Sequence, residues 1–222
     1  MITWPMEALP PRHIAVDLMP RTVSGGLALN GSAQVISSDA GVWLASFSEI
    51  PVNTQQGQNR ITLWRAISGM AEGRLNPILI GAWDSGAPEI PASLASPITH
   101  SDGATFSDGA GYAQSIFPAF TSDAYPVRAT RIRIDKAQFT VQPGYRFSIG
   151  ERLYQVKAIV AQTSSFARFD ITPPLREAVP ANASVEFAKP VLRVRLATDG
   201  EMKLPLDYGR WSFPTVNFIE DI

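Results

Sequence analysis

The 222-residue sequence contains no cysteine, and this absence excludes several kinds of site at once. Without a thiol the chain has no disulfide framework, no cysteine nucleophile, no cysteine-bound zinc and no iron–sulfur cluster. The sequence also lacks the G-x-x-x-x-G-K-S/T, G-x-G-x-x-G and H-E-x-x-H patterns, which cradle phosphates, bind dinucleotides or hold a catalytic zinc ion. We therefore expect neither a metal ion nor a cofactor.

Histidine is scarce, since only His13 and His100 are present. A hydrolytic triad of His100 with a neighbouring serine and aspartate can be drawn, but it lacks G-x-S-x-G or another nucleophile context, and adjacent residues rarely form a triad. The 20 acidic residues allow many carboxylate pairs, and nothing in the sequence singles one out for glycoside cleavage. We expect no enzymatic activity.

The chain has no excess of charge of one sign, with 19 basic and 20 acidic side chains. This balance lacks the basic footprint of a nucleic-acid binder, so we expect no sequence-specific nucleic-acid partner. Nowhere do 18 apolar residues run together, and the first residues lack a basic stretch followed by an apolar one. We expect neither a membrane-spanning segment nor an export signal.

The charge is distributed unevenly along the chain. Residues 1–127 hold 5 basic and 10 acidic side chains, whereas residues 128–222 hold 14 and 10. One interpretation is a pair of complementary faces for head-to-tail subunit contacts. The other is two differently charged surfaces of a single fold, and the sequence leaves both open.

Composition predicts a folded chain in three segments. Apolar residues make up 45% and charged residues 18%, which is typical of a globular protein. We expect an N-terminal β domain with a helix at 1–83, an arm or insert at 84–126, and a β-rich part at 127–222. Whether the last segment packs with the first stays open.

One α-helix is predicted in the first segment, at about 60–72. Its apolar residues recur at helical spacing and form one stripe, and they are Leu63, Trp64, Ile67, Met70 and Ala71. Asn59 is a suitable N-cap, and Gly73 a suitable stop. Before the helix, the runs 33–38 and 42–50 predict a hairpin whose turn is Asp39-Ala40-Gly41. After it, residues 75–81 predict a strand.

The third segment has β-strand patterning throughout. Polar and apolar residues alternate in short runs separated by proline and glycine, at 130–135, 145–149, 152–160, 166–172, 184–187 and 192–196. Strands recurring every 10 to 15 residues or so indicate a sandwich or small barrel. The predicted fold class is therefore mainly β, a β-sandwich or small barrel with one short α-helix.

The insert differs in composition from the rest of the chain. Of its 43 residues, 24 are Gly, Pro, Ser or Ala, five are acidic and none is Lys or Arg. Such a segment is typical of an extended arm, a binding loop or a flexible insert. Two Ser-Asp-Gly triplets, at 101–103 and 107–109, favour tight turns over a calcium site, which needs about six oxygen ligands.

Aromatic residues near the termini are the best candidates for a binding surface. Trp4 and Trp211 lie beside prolines or polar residues, and tryptophan is enriched at protein interfaces. Stacking of sugars on these rings is the less favoured alternative. The candidate residues for contacts between subunits are Trp4, Trp211, Phe213, His100 and Tyr112.

Several stretches of the chain resemble tail structural proteins of tailed bacteriophages. In the C-terminal part the resemblance rests on residues 147–156, 171–176, 191–199 and 216–220. In the N-terminal part it rests on residues 24–31, 64–66 and 73–77. The order of elements is similar to that of distal tail or baseplate hub proteins. These motifs are turn and core signatures, and they cover most of the chain except the insert.

The resemblance implies a virion component that acts by assembly and catalyses no reaction. Distal tail and hub proteins have an N-terminal β domain with a helix that closes a ring, often a hexamer, and an additional β-rich domain. The implied partners are other copies of the chain and other phage tail proteins. The implied location is the virion tail, assembled in the host cytoplasm. Tail tube, terminator and adaptor proteins remain open, and so does a carbohydrate-binding β-sandwich module.

Overall fold

The chain folds into two units of β-structure. The computed structural model describes residues 1–27, 31, 33–53, 59–82, 118–137 and 139–222. Unit 1 contains Met1–Ala82 and Val191–Ile222, and unit 2 contains Trp83–Pro190. The predicted fold class, mainly β with one short helix, is confirmed.

The described residues contain twelve strands and one helix. In chain order they are β1 (Ile2–Thr3), β2 (His13–Leu27), β3 (Ala33–Ser48), α1 (Arg60–Ala71), β4 (Ile78–Gly81), β5 (Ala119–Thr121), β6 (Arg131–Lys136), β7 (Arg146–Ile149), β8 (Arg152–Gln162), β9 (Phe166–Thr172), β10 (Val185–Glu186), β11 (Val191–Leu196) and β12 (Val216–Glu220).

Unit 1 is built on a six-stranded sheet in the order β1-β4-β11-β12-β3-β2. The last two strands of the chain lie in the middle of this sheet. Leu192 in β11 is opposite Ile80 in β4, and Phe218 in β12 is opposite Ala45 in β3. Residues 191–222 therefore belong with the N-terminal residues, whereas the sequence grouped them with 127–190. Pairing between strands so far apart leaves no local signal in the sequence.

This arrangement also removes the charge asymmetry between the two halves of the chain. Unit 1 contains nine basic and ten acidic side chains, and unit 2 contains ten of each. The chain leaves unit 1 and returns to it, so the basic C-terminal residues are added to the acidic N-terminal ones. The two units do not carry opposite net charges.

Helix α1 confirms the predicted helix to within one residue. Asn59 caps it, because its Oδ1 accepts the backbone N–H of Thr62 at 3.1 Å. The helix ends where Glu72 turns left-handed at φ 47°. Gly73 follows with φ +64°, a conformation that favours glycine, and a Cβ there would lie 2.9 Å from a side-chain oxygen of Asp199.

Three of the five residues predicted to form the stripe of α1 are buried, and Leu63 is only partly buried. Trp64, Ile67 and Ala71 are buried against the sheet, together with Ile61. Met70 was placed on the same stripe but is half exposed. Trp64 is fixed by a hydrogen bond from its Nε1 to the carbonyl oxygen of Met202, at 2.9 Å.

The predicted hairpin at 33–50 is wrong, because β3 runs unbroken through the expected turn. The partner of β3 is β2, and the register passes from Met19 opposite Val42 to Arg21 opposite Ser38. Four positions on β3 therefore match two on β2, so Asp39-Ala40-Gly41 forms a β-bulge rather than a turn. Glycine suits position 41, since a Cβ there would approach the Met19 carbonyl oxygen to 3.3 Å.

Trp4 lies in the aromatic core of unit 1. Its ring makes edge-to-face contacts with Phe47, Trp64 and Phe218 at centroid distances of 5.8, 6.0 and 5.6 Å. Its Nε1 donates a hydrogen bond to the carbonyl oxygen of Leu9 at 3.2 Å. A buried tryptophan with a satisfied N–H is a packing residue.

Unit 2 is a nearly closed, barrel-like sheet, one of the two architectures that the sequence left open. Its six strands follow the order β10-β7-β8-β9-β6-β5. The two ends of this sheet meet, since Phe120 bridges Ser184 and the N–H of Thr121 donates to the Ala183 carbonyl oxygen at 2.9 Å. Phe147 fills the interior, in ring contact with Tyr154, Phe169 and Phe187. The barrel thereby leaves few free strand edges.

A buried carboxylate anchors the C-terminus of unit 1. Asp221 accepts hydrogen bonds from Arg193 Nε at 2.7 Å and Arg195 Nε at 2.5 Å. Arg195 also donates to the carbonyl oxygens of Arg74 and Leu75, in the turn after α1. Burial alone would raise the pKa of Asp221, but the two arginine hydrogen bonds outweigh it and the pKa is lowered.

We expect Asp221→Asn to destabilise unit 1 by about 2 kcal/mol, since hydrogen bonds to charged groups contribute about 1.5–3 kcal/mol. A lowered carboxyl pKa stabilises the fold above the unfolded pKa, and this is lost as pH falls through the folded pKa. The substitution should therefore also flatten the loss of stability below about pH 4. Urea unfolding followed by tryptophan fluorescence reports mainly on this unit, because four of the five tryptophans, Trp4, Trp43, Trp64 and Trp211, belong to it.

Glu49→Gln is the matched control, because Glu49 pairs with Arg12 at 2.9 Å on the exposed surface of the same unit. Exposed pairs contribute little. An unchanged pH profile in Asp221→Asn would contradict the role of that carboxylate.

Candidate interaction surface

The most prominent surface feature is the far half of the β2–β3 hairpin. β12 pairs with β3 from Phe47 as far as Leu44, and β3 continues for eleven more residues to Ala33. Over those residues β2 is the one strand found beside β3 in the described part of the chain. Residues 19–27 and 33–42 thus form a two-stranded ribbon extending beyond the sheet, which we call the ribbon.

Four apolar side chains of the ribbon are exposed to solvent. Met19, Val23, Val35 and Ile36 are 58%, 70%, 59% and 62% exposed. All the side chains described at 19–26 and 34–37 are exposed, so both faces of this part are open. An isolated two-stranded ribbon is marginally stable in water, and a surface that covers it would stabilise it.

The two faces of the ribbon differ in character. Val23 is directly opposite Ile36, and Thr22 is opposite Ser37. Since successive side chains point to opposite faces of a strand, Val23 and Ile36 share one face with Arg21. Thr22 and Ser37 lie on the other face. The face that carries Val23 and Ile36 is therefore more apolar than the face that carries Thr22 and Ser37.

A second exposed apolar surface lies at residues 206–213, which we call the aromatic loop. Tyr208 is 92%, Trp211 50% and Phe213 65% exposed. Ser212, between the last two, is buried and pairs with Val52 through two 2.9 Å backbone hydrogen bonds. In extended backbone the residues on either side of an inward side chain point outward, so Trp211 and Phe213 share one outer face.

A tight turn presents the third aromatic ring of this loop. Asp207 bridges Trp211, and the N–H of Arg210 donates to the Asp207 carbonyl oxygen at 3.0 Å. Tyr208 has a left-handed backbone with φ 49°, and Gly209 follows at φ +70°. Such conformations are sparsely populated by residues other than glycine, and they cluster at binding sites.

The ribbon and the aromatic loop lie at opposite ends of the same hairpin. β3 runs from the ribbon to Ser48, and the chain continues to Val52, which holds the loop. The base is also where Arg12 Nη1 pairs with Glu49 at 2.9 Å. Unit 1 therefore presents an aliphatic surface at one end and an aromatic one at the other.

Charged side chains on the barrel of unit 2 are largely compensated. On its outer face Arg131 makes two hydrogen bonds to Asp170, at 2.7 and 3.3 Å, and these bonds lower the pKa of Asp170. Arg133 stacks on Phe166 at 4.5 Å and lies 3.7 Å from Asp135. We therefore do not assign a binding site to this face.

The predicted interface residues fall in three places. Trp211 and Phe213 are exposed neighbours on the aromatic loop, where their role as contacts stays a prediction. Trp4 is corrected, because a core side chain with 2% exposure has no surface to offer a partner. His100 and Tyr112 lie outside the described residues, as do both Ser-Asp-Gly triplets and insert residues 84–117.

The structure adds residues to the candidate surface that the sequence did not single out. Val23 and Ile36 were not among the candidates, although 33–38 was predicted to be a strand. Their exposure depends on where β12 stops pairing with β3, which no local pattern encodes. No strand was predicted at residues 13–27, where β2 lies.

Two further properties can be stated for the described part of the chain. It contains no group of three or more His, Asp or Glu side chains placed to hold a metal ion. Its helix is too short and too polar to cross a membrane.

Comparison with known proteins does not assign the chain to a family. No protein-family model matches the sequence, and a search of curated proteins gave no match either.

The difference between the two terminal tryptophans is testable. We expect Trp4→Ala to lower the free energy of unfolding by about 3–5 kcal/mol, because it leaves a cavity among three aromatic rings. Trp211→Ala should change it by less than about 0.5 kcal/mol, as for an ordinary surface substitution. Urea unfolding followed by circular dichroism measures both. Equal losses would contradict the assignment of Trp4 to the core and of Trp211 to the surface.

Proposed function

We propose that this protein is a structural subunit of a bacteriophage tail, which assembles with copies of itself into a ring at the tail tip or baseplate hub. Two independent features support the proposal. The first is the resemblance of residues 147–156, 171–176 and 191–199 to tail structural proteins. The second is the ribbon, an apolar projection suited to contact with a neighbouring subunit. The function is assembly, and no bond is made or broken.

The observation that carries the proposal is the exposure of Val23 and Ile36 on the ribbon. Burying each such side chain contributes about 1.5–3 kcal/mol. A neighbour covering the ribbon would gain this energy and would also order a strand pair that is marginal by itself. Rings close when one face of a subunit meets a different face of the next. A projection at one end of the subunit suits that geometry.

Other tail components would also assemble by burying apolar surface between neighbouring subunits. Tail tube subunits stack along the tail axis, whereas a hub forms one ring between unlike partners. Terminator and adaptor proteins also form single rings. Electron microscopy of the assembled protein distinguishes stacked rings, which favour a tube, from a single closed ring, which favours the other three.

We expect the purified chain to form a closed oligomer and the double variant V23D/I36D to remain a 24.1 kDa monomer. Two carboxylates on the apolar face would have to be desolvated in the interface, which costs several kcal/mol. Size-exclusion chromatography with light scattering measures the mass.

The matched control is T22D/S37D, which places the same charges on the opposite face of the ribbon and should leave the oligomer intact. A monomeric wild-type chain, combined with its absence from purified phage particles by mass spectrometry, would contradict the proposed function.

A carbohydrate-binding module is the second candidate, favoured by the half-exposed ring of Trp211 beside the exposed Tyr208. Aromatic rings presented on a rigid loop are suitable for stacking sugars. Glycan-array binding by the wild-type chain that is lost in Trp211→Ala would support this function. If the wild-type chain binds no glycan on the array, the carbohydrate-binding function is contradicted.

A further inference from the structure

We propose that the ribbon of one copy packs against the aromatic loop of the next copy, so that the interface joins two unlike ends of unit 1. This inference rests on the proposed function, because it specifies how the copies meet. It goes beyond that function by naming both surfaces and the direction of the contact.

The two surfaces are too far apart for one copy to cover its own loop with its own ribbon. The stretch of β2 from Val23, opposite Ile36, to His13, opposite Ser48, is ten residues long, which corresponds to roughly 33 Å of extended strand. The loop lies beyond Ser48, where Ser212 pairs with Val52. Each surface therefore needs a second molecule, and two unlike surfaces at opposite ends favour a contact between different faces.

The chemistry of the two surfaces is complementary. The ribbon offers aliphatic and thioether groups from Met19, Val23 and Ile36, and the loop offers the rings of Trp211 and Phe213. Methionine sulfur and branched aliphatic groups both pack well on aromatic rings.

Charge adds to this fit. Arg21 is the one charged side chain among the described residues 19–26 and 34–37, and it shares a face with Val23. The loop carries one exposed residue of each sign, Asp207 and Arg210, so it has no net charge but offers a carboxylate and the indole of Trp211 to Arg21. A guanidinium interacts favourably with a carboxylate and with the face of an indole ring.

The exposed areas are of a suitable size. Each aromatic side chain offers about 150–250 Å² when fully exposed, so Tyr208, Trp211 and Phe213 at their observed exposures present roughly 400 Å². One side of a stable protein interface contributes about 800 Å². The aromatic loop would thus supply about half of one side, with the polar residues around it forming the rim.

A pair of complementary variants tests the proposed contact. The ribbon variant V23D/I36D keeps its loop, and the loop variant W211D/F213D keeps its ribbon. We expect each to be monomeric alone and an equimolar mixture to form a 1:1 dimer that grows no further, because one intact interface remains. Sedimentation equilibrium measures the masses, and circular dichroism verifies that both variants are folded.

A cross-link provides a second readout, because the wild-type chain contains no cysteine. A chain with Ile36→Cys mixed with a chain with Phe213→Cys should give mainly the mixed disulfide dimer upon oxidation. The control pair Ser37→Cys and Phe213→Cys, with the thiol on the opposite face of the ribbon, should cross-link at least tenfold less.

Three outcomes would overturn the inference. If W211D/F213D still self-associates alone, the ribbon pairs with another ribbon or with a different surface. If the mixture stays monomeric although the wild-type chain assembles, the ribbon and loop do not meet, and the proposed function survives without this contact. If the wild-type chain is itself monomeric, the contact fails, and the proposed function fails with it only if the chain is also absent from purified phage particles.

Discussion

The pairing of β12 with β3 is the constraint on which the rest of unit 1 depends. It carries the C-terminal residues back across the sheet, so that Phe218 completes the ring cluster around Trp4. It also sets the point where β3 loses its inner neighbour, since the pairing stops at Leu44. Beyond that point the hairpin has two strands, and its apolar side chains face solvent. The core and the ribbon are consequences of the same strand pairing.

The same return of the chain positions the aromatic loop. Residues 206–213 lie in the connection between β11 and β12, and the Ser212–Val52 bridge holds them against the base of the hairpin. Asp221 then locks the end of the chain between Arg193 and Arg195, and Arg195 also donates to carbonyl oxygens in the turn after α1. A short C-terminal segment thus determines the sheet order, the position of the loop and the closure of the helix turn. The assembly that we propose would use the ribbon and the aromatic loop, and this C-terminal segment positions both of them.

Much of the secondary structure was predictable because its signals are local. The cap at Asn59, the spacing of Trp64, Ile67 and Ala71, and the stop at Gly73 define α1 within a few residues of sequence. Alternation at 130–135 and 166–172 likewise defines β6 and β9. The Asp39-Ala40-Gly41 triplet misled for the same reason. It is a strong turn signal, but the long partner strand β2 converts it into a bulge, and the partner lies outside the local window.

The candidate surface was only partly predictable. Trp211 and Phe213 could be selected from the sequence, because aromatic residues among polar neighbours are candidates for a protein interface. Trp4 also lies near a terminus and beside a proline, and yet it is in the core, since burial depends on which distant residues surround a side chain.

By itself the sequence determined the fold class, the helix, most of the strands and the absence of any cysteine chemistry. Each of these follows from residue types and from spacing over a few residues. Only the tertiary structure decided that residues 191–222 complete the N-terminal sheet, that the charges balance within each unit, and that the hairpin projects beyond the sheet. Those properties arise from backbone hydrogen bonds between strands distant in sequence, and such bonds are made by groups that every residue except proline shares.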